Sequence, residues 1–232
     1  MMIRSTSRDA VAPSVGVVLL EALRSTDTPP ETLEAEDFSQ SLPRRLGLSG
    51  VIERQIEQYT RLQDEGDGLS PSAAEDLFRL ISRREDAEAV FRRAGRDLAR
   101  RELEERGLGS KAIAWTGPAA LTRWLALRAA SRLARRVNPS ASVRTERDPP
   151  SLIVEGSLPA RACDGTDGCE VLSQALETFL GAYAGSESPA VHPLCESRGD
   201  SACVFRLAPD EEGAGRRAGE DAGSDEAVSA GS

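Results

Sequence analysis

Apolar residues recur every three or four positions through much of the chain between residues 50 and 137, a spacing typical of amphipathic helices. Residues that favour helix ends punctuate this pattern: serine or proline before a helix, and glycine or Asn-Pro after it. They predict one helix that begins near Ser49, one that begins at Ser70-Pro71, and two longer helices over Asp86–Arg106 and Pro118–Val137. A shorter helix is predicted over Val15–Arg24.

The pattern changes after residue 140. Four segments alternate between apolar and polar positions or are rich in β-branched residues, which predicts strands. They are Ala141–Arg147, Ser151–Leu158, Val191–Cys195 and Ala202–Leu207. Between the two pairs, Glu170–Tyr183 returns to helical spacing. The order of these elements along the chain is helices, two strands, a helix and two more strands. This order predicts an α+β fold, with a helical layer packed on a small, mostly antiparallel sheet.

The two ends of the chain are predicted to lie outside the folded domain. Residues 1–40 include Thr28-Pro29-Pro30 and an acidic run, and we expect them to be loosely ordered. Residues 208–232 are rich in Gly, Ala, Ser, Asp and Glu and carry no aromatic residue. Such a segment buries too little apolar surface to offset its chain entropy, so a disordered acidic tail is expected. The folded domain is predicted over residues 41–207.

Composition and charge limit which binding partners and which cellular compartment we expect for this protein. The 232 residues are 39% hydrophobic with a formal net charge of −9, which supports a core and disfavours binding to nucleic-acid phosphates. No run approaches the ~20 apolar residues that span a bilayer, so no membrane span is predicted. We expect a cytoplasmic protein. In a reducing compartment the four cysteines are expected to be thiols or metal ligands rather than disulfides.

Three cysteines and the only histidine gather near the end of the domain, as Cys169, His192, Cys195 and Cys203. Thiolates and an imidazole are donors that suit a tetrahedral zinc ion. A tight turn through Arg198-Gly199-Asp200 would bring Cys195 and Cys203 together. His192 precedes Cys195 by an odd number of positions, so a bulge or twist near Pro193 is required for both to face one side.

Cys169 lies at the predicted start of the helix Glu170–Tyr183, where free amides and the helix dipole favour a thiolate. A zinc ion would then clip that helix to the final hairpin. Two alternatives remain open from spacing alone. The thiols could be ordinary buried cysteines beside a histidine, or Cys163 could replace Cys169 as a ligand.

The terminal pattern Cys-x3-Gly-Asp-x2-Cys-x-Phe resembles the signature of the 4-vinyl reductase (V4R) domain family. Here it is formed by Cys195, Gly199, Asp200, Cys203 and Phe205. The segment Ala94-Gly95-Arg96-Asp97-Leu98-Ala99 also resembles a helix of that family. The resemblance covers residues 75–207 and implies a fold related to vesicle-tethering (TRAPP) subunits. It is nearest to the stand-alone proteins of the bacteriochlorophyll 4-vinyl reductase type.

The resemblance also implies a ligand set. Zinc-binding members of the family have a cysteine opening the penultimate helix, 26 residues before the terminal pair, and Cys169 has this spacing to Cys195. The family usually has glutamate at the position of His192, and a histidine there keeps a ligand type. Four protein ligands leave no open coordination position, so the zinc would be structural.

Three functions follow from the resemblance. The first is a binding or carrier protein for a hydrophobic, aromatic or tetrapyrrole molecule, held between the helices and the sheet. The candidate pocket walls are Phe78, Phe91, Trp115, Trp124 and Phe179. The second is a 4-vinyl reductase of the bacteriochlorophyll pathway, although the chain has no Gly-x-Gly-x-x-Gly fingerprint and no catalytic residue is identified. The third is a sensory or protein-interaction module, and since family members often dimerise, a homodimer is a further expectation.

Overall fold

The computed structural model describes residues 4–5, 10–27, 38–106, 118–165, 167–185 and 189–207. Helices packed against a four-stranded antiparallel sheet make up these ranges, and the predicted α+β class is confirmed. The helices are α1 (Pro13–Asp27), α2 (Phe38–Asp64), α3 (Pro71–Ser82), α4 (Ala87–Glu105), α5 (Ala119–Val137), α6 (Leu158–Ala162) and α7 (Glu170–Ala184). No helix within the described ranges has the length and apolar character needed to cross a bilayer.

The sheet has the strand order β3-β4-β6-β5, and every neighbouring pair is antiparallel. Its strands are β3 (Ser142–Arg147), β4 (Pro150–Glu155), β5 (Ala190–Leu194) and β6 (Cys203–Leu207), while β1 (Arg4–Ser5) and β2 (Gly68–Leu69) form a separate short pair. Side chains alternate along β6, so Cys203 and Phe205 join the main core whereas Val204 joins a small cluster with Ile153. The helix-facing side of β6 therefore carries one of the predicted metal ligands.

Local signals in the sequence fix most helix boundaries. The Ser70 hydroxyl caps α3 by accepting a hydrogen bond from the Ala73 amide at 3.3 Å, and Pro71 occupies the first helical position. Helix α7 ends at Ala184 and is capped by Gly185, which adopts a left-handed conformation with φ of 66°. The predicted boundaries of α4, α5 and α7 agree with the structure to within two residues.

The centre of the fold is α7, which packs against α4 and α5 and also contacts β5 and β6. At the crossing with α4, the backbones approach so closely that a side chain at Gly95 would have its Cβ 2.3 Å from the Val171 carbonyl oxygen. Only glycine fits that contact. The close crossing fixes the N-terminal turn of α7, and with it the cysteine that precedes the helix.

A buried carboxylate joins α4 to α5. Glu102 is almost fully buried and accepts hydrogen bonds from Arg106 at 2.8 Å and from Arg136 at 2.7 Å, with Arg132 at 3.4 Å. Burial raises the pKa of Glu102, but the arginine hydrogen bonds outweigh it and the pKa is lowered overall. Glu102 is therefore a charged anchor between the two helices. Arg136 also donates to the Ser14 hydroxyl at 3.0 Å, which ties α1 to the same network.

The prediction of a loosely ordered segment over residues 1–40 is wrong for α1. Val15, Val18 and Leu19 of this helix are at most 1% exposed, and α1 packs against α2 and α4. The cause is that its apolar residues surround the helix, as in helices that are buried on all sides. The folded part thus begins before residue 41. The predicted acidic tail 208–232 lies outside the described residues.

Two other elements differ from expectation. Helix α2 begins at Phe38, well before the expected start near Ser49. The second predicted strand was expected to end at Leu158, but β4 ends at Glu155 because Gly156 turns the chain with φ of 78°. Leu158 instead begins the five-residue helix α6. These differences leave the strand pairs and the predicted metal ligands in place.

Candidate metal centre

Four residues from three consecutive parts of the chain converge between α7 and the last hairpin. Cys169 ends a short 3₁₀ turn (Asp167–Cys169) and directly precedes α7. His192 lies in β5, Cys195 follows that strand, and Cys203 opens β6. All three cysteines are free thiols with no exposed surface. The four residues predicted as metal ligands thus lie together, the three cysteines buried and His192 partly buried.

The sulfur atoms form a nearly equilateral triangle. Cys169 Sγ lies 3.7 Å from Cys195 Sγ and 3.8 Å from Cys203 Sγ, and the third side is 3.8 Å. All four ligand atoms lie within 4.8 Å of one another. A tetrahedral ion with metal–sulfur bonds of about 2.3 Å requires sulfur separations of about 3.8 Å. The cluster could therefore hold a metal ion without rearrangement of its three sulfurs.

His192 reaches the same side as Cys195 through an irregularity in β5. The register of β5 against β6 shifts between Val191 and Leu194, which confirms the bulge predicted near Pro193. The imidazole stacks on the Phe205 ring, with centroids 4.4 Å apart and planes 10° apart. Its Nε2 atom is buried and has no hydrogen-bond partner among the described residues. Since buried polar nitrogens are nearly always paired, this atom indicates a missing partner.

Hydrogen bonds from the connecting turn hold the hairpin ligands. Arg198 donates to the carbonyl oxygens of His192 at 3.1 Å and Pro193 at 2.8 Å, which holds the bulge. Asp200 accepts from the Cys195 amide at 2.7 Å, and Gly199 turns the chain with φ of 92°. These contacts fix the backbone on both sides of Cys195. The sequence spacing predicted that Arg198 and Asp200 belong to a tight turn. It did not predict the hydrogen bonds of Arg198 to the two carbonyl groups or of Asp200 to the Cys195 amide.

A second set of contacts reaches outward from the same turn. The Glu196 carboxylate accepts hydrogen bonds from the Gly156 amide at 2.6 Å and the Ser157 amide at 2.7 Å. These amides precede α6, so the hairpin turn is tied to the end of β4. The Ser197 hydroxyl lies 3.0 Å from Cys195 Sγ. Glu196 and Ser197 had no role in the sequence prediction, because their partners are distant in the chain or lie within the cluster.

The protonation states of the three thiols are coupled. Cys169 Sγ shares hydrogen bonds with the sulfurs of Cys195 and Cys203, and these contacts raise the pKa of Cys169 well above the usual value for cysteine. The same hydrogen bonds lower the pKa of Cys195 and of Cys203. Cys195 and Cys203 are therefore more readily ionised than Cys169. A divalent cation would favour the thiolate form of all three and displace their protons.

Cys163 lies outside the cluster. Its thiol donates to the Phe78 carbonyl oxygen at 3.8 Å, and its sulfur occupies the space beside Gly168. Burial raises the pKa of the Cys163 thiol to about 11, which keeps it neutral. Of the two cysteines considered for the first ligand, the structure places Cys169, and not Cys163, beside the others.

Three of the predicted pocket walls lie in the core. Phe78, Phe91 and Phe179 have no exposed surface, and the first two rings stack on each other with centroids 5.4 Å apart. These three residues are core, which corrects the prediction that they line a pocket, because a ring with no accessible surface cannot contact a ligand. Trp124 is half-buried and lines a surface groove of about 650 Å³. Trp115 lies outside the described residues.

No protein-family model, curated protein or solved structure matches this chain. The chemistry available to the site follows from its donors. Three sulfurs and one imidazole nitrogen supply four protein ligands, the number that fills a tetrahedral sphere. Such a centre holds protein elements together, whereas a catalytic ion needs a position free for water or substrate.

Proposed function

We propose that this protein is a V4R-type binding or carrier module for a hydrophobic small molecule, with a structural zinc ion that fixes its last hairpin. The observation that carries the proposal is the buried triangle of sulfurs, with sides of 3.7–3.8 Å, beside the unpaired Nε2 of His192. It supports the metal directly. The family part of the proposal rests on the sequence resemblance of Cys195, Gly199, Asp200, Cys203 and Phe205.

Zinc is the metal that best matches these donors. Thiolates are soft ligands, and a set of three thiolates and one imidazole in tetrahedral arrangement favours zinc over the oxygen-preferring ions magnesium and calcium. The complete burial of Cys169, Cys195 and Cys203 excludes water from the sulfurs. The ion would be held by Cys169, His192, Cys195 and Cys203, and its role would be to join α7 to β5 and β6.

The groove at Trp124 supports the binding part of the proposal. It lies between α5 and the turn after β3, and its apolar lining includes Leu121, Leu127 and Pro150. Its volume of about 650 Å³ lies within the range of small-molecule sites. Arg128 packs over the indole, with its guanidinium carbon 5.2 Å from the ring centroid. An aromatic ligand could stack on the opposite face of the same indole.

Native mass spectrometry of the protein isolated from its own host tests both parts. We expect one zinc ion per chain, and a small aromatic or tetrapyrrole molecule that dissociates on denaturation. Trp124→Ala should lose the small molecule and retain the zinc, while Trp124→Phe should retain both. Protein that is free of metal and has an unchanged melting temperature after zinc addition would refute the metal centre. A ligand retained equally by Trp124→Ala would exclude this groove as its site.

A further inference from the structure

A second groove, on another side of the molecule, runs between α4 and α7. Its volume is about 620 Å³, and its walls include three arginines of α4 spaced one helical turn apart. The lining residues that matter are Arg92, Arg96, Arg100, Gln174, Glu177 and Thr178. The lining carries three arginines and one glutamate, and three further carboxylates, Glu88, Asp97 and Glu170, lie next to these arginines.

The carboxylates around the groove are committed to one of the three arginines. Arg92 contacts Glu170 at 3.4 Å, Glu177 at 3.7 Å and Glu88 at 3.8 Å. Glu177 also accepts hydrogen bonds from the Ala190 amide at 3.0 Å and from a side-chain amide of α7 at 2.9 Å. Its two oxygens are therefore engaged by hydrogen bonds, while its negative charge remains part of the groove lining next to Arg92.

The other two arginines keep their donors available. Arg96 makes no hydrogen bond or ion pair with any residue in the described part of the chain. The nearest carboxylate to Arg100 is Asp97 on the same helix at 3.8 Å, a separation too long for a hydrogen bond. Two guanidinium groups one turn apart thus line one wall of a concave surface with unused N–H groups.

We propose that this groove binds a small, multiply charged anion, a phosphate or a polycarboxylate, through Arg96 and Arg100. Each guanidinium presents a fork of N–H donors that matches two oxygens of such a group. Two forks one helical turn apart favour a ligand with at least two anionic groups over a monoanion. This site is separate from both the metal centre and the Trp124 groove, and it does not depend on either.

The chain itself also carries carboxylates of the kind that this groove would bind. Asp210, Glu211 and Glu212 follow Leu207 closely, and Leu207 pairs with Ala190, next to Pro189 at the groove. At about 3.5 Å per residue, these acidic residues are within ~10–18 Å of the end of β6 along the chain. A free anion and the acidic residues of the tail are therefore two sources of one ligand chemistry, and the experiment separates them.

Isothermal titration calorimetry of the full chain with pyrophosphate and with citrate tests the site, at low and at physiological ionic strength. We expect Arg96→Gln and Arg100→Gln each to weaken binding about tenfold or more, since each removes one charged fork. The matched control is Arg93→Gln, on the same helix and outside the groove, which should change affinity less than about twofold. Melting temperatures of all variants verify that each remains folded.

A second full-length variant, Asp210→Asn with Glu211→Gln and Glu212→Gln, identifies the source. If the natural chain binds the probes and this variant binds them with the same affinity, the result supports a free anion as the ligand. Binding that appears or strengthens about tenfold only in this variant supports the site with the tail as its occupant. The proposal is overturned if neither protein binds either probe up to about 10 mM. It is equally overturned if Arg93→Gln weakens binding as much as Arg96→Gln.

Discussion

The proposed metal ion would join α7 to the last hairpin, so its removal should loosen that junction. Cys169 belongs to the helix side, whereas Cys195 and Cys203 belong to the hairpin. Among strands, β5 pairs only with β6, and within the described ranges the hairpin turn is also held by the Glu196 hydrogen bonds to the Gly156 and Ser157 amides. Without the ion, the Cys169 sulfur has only the weak contacts with the other two sulfurs of the cluster. The buried Nε2 of His192 then has no hydrogen-bond partner among the described residues. Both effects lower the free energy of unfolding.

The size of the effect follows from mass action. An ion that binds only the folded state stabilises it by about 4 kcal/mol when its free concentration is about a thousandfold above its Kd. For a chain of this length, each 1 kcal/mol corresponds to about 2–4 °C in Tm. Chelation should therefore lower Tm by about 8–16 °C. Cys203→Ser should produce a similar loss in untreated protein, because it removes a buried ligand that no other described residue replaces.

The assay combines calorimetric melting with elemental analysis, before and after a chelator and after zinc is restored. Cys163→Ser is the matched control, since it removes a buried thiol that lies outside the cluster. It should keep one zinc per chain and lose at most about 1 kcal/mol. The reasoning is refuted if natural protein contains no zinc, or if chelation removes zinc and leaves Tm unchanged. It is also refuted if Cys163→Ser loses the metal and Cys203→Ser keeps it.

Three further changes test the surrounding structure. Gly95→Ala should cost about 1–3 kcal/mol in denaturant unfolding, because its Cβ would collide with the α7 backbone, whereas Gly50→Ala, with open space around it, should be neutral or stabilising. Equal effects of the two would contradict the close helix crossing. Glu102→Gln should destabilise by about 1–2 kcal/mol at neutral pH. Since the pKa of Glu102 is lowered, its contribution is present above the usual glutamate pKa and is lost as pH falls through the lowered value. Unfolding free energies of the two proteins should therefore converge in acid, and a constant difference would contradict the argument. Arg198→Ala should weaken zinc affinity about 10–100-fold in a competition titration while secondary structure is kept, and unchanged affinity would exclude a positioning role.

The parts of the fold that follow from the sequence are those with local causes. Ser70 caps α3 with its own side chain, and the alternation of β6 places Cys203 and Phe205 on the core side. The cluster itself could be anticipated because a soft-donor set needs few residues, and the bulge at Pro193 follows from the odd spacing of His192 and Cys195. Apart from Cys169, which lies 26 residues before Cys195, these features depend on neighbours close in the chain.

The parts that could not be predicted depend on distant neighbours. The burial of α1 requires α2 and α4 to cover it, and no signal within residues 13–27 identifies those partners. Aromatic residues are equally suitable for core and for pocket, so the sequence cannot tell Phe91, stacked inside, from Trp124, beside a groove. Likewise, Glu196 gains its role only when the end of β4 lies next to the hairpin turn. Tertiary contacts decide these positions.

The residue that shapes the metal centre also limits how the sheet can assemble. Arg198 occupies the carbonyl groups of His192 and Pro193 on the edge strand β5, and Pro193 has no N–H to offer another strand. The opposite edge, β3, presents exposed charged side chains, and its Arg144 is paired with Glu155. Edges with proline, occupied carbonyls and charges resist pairing with a further strand. Continuation of the sheet at β5 would first have to break the contacts that hold the backbone around His192, so we expect copies of this chain not to associate through that edge.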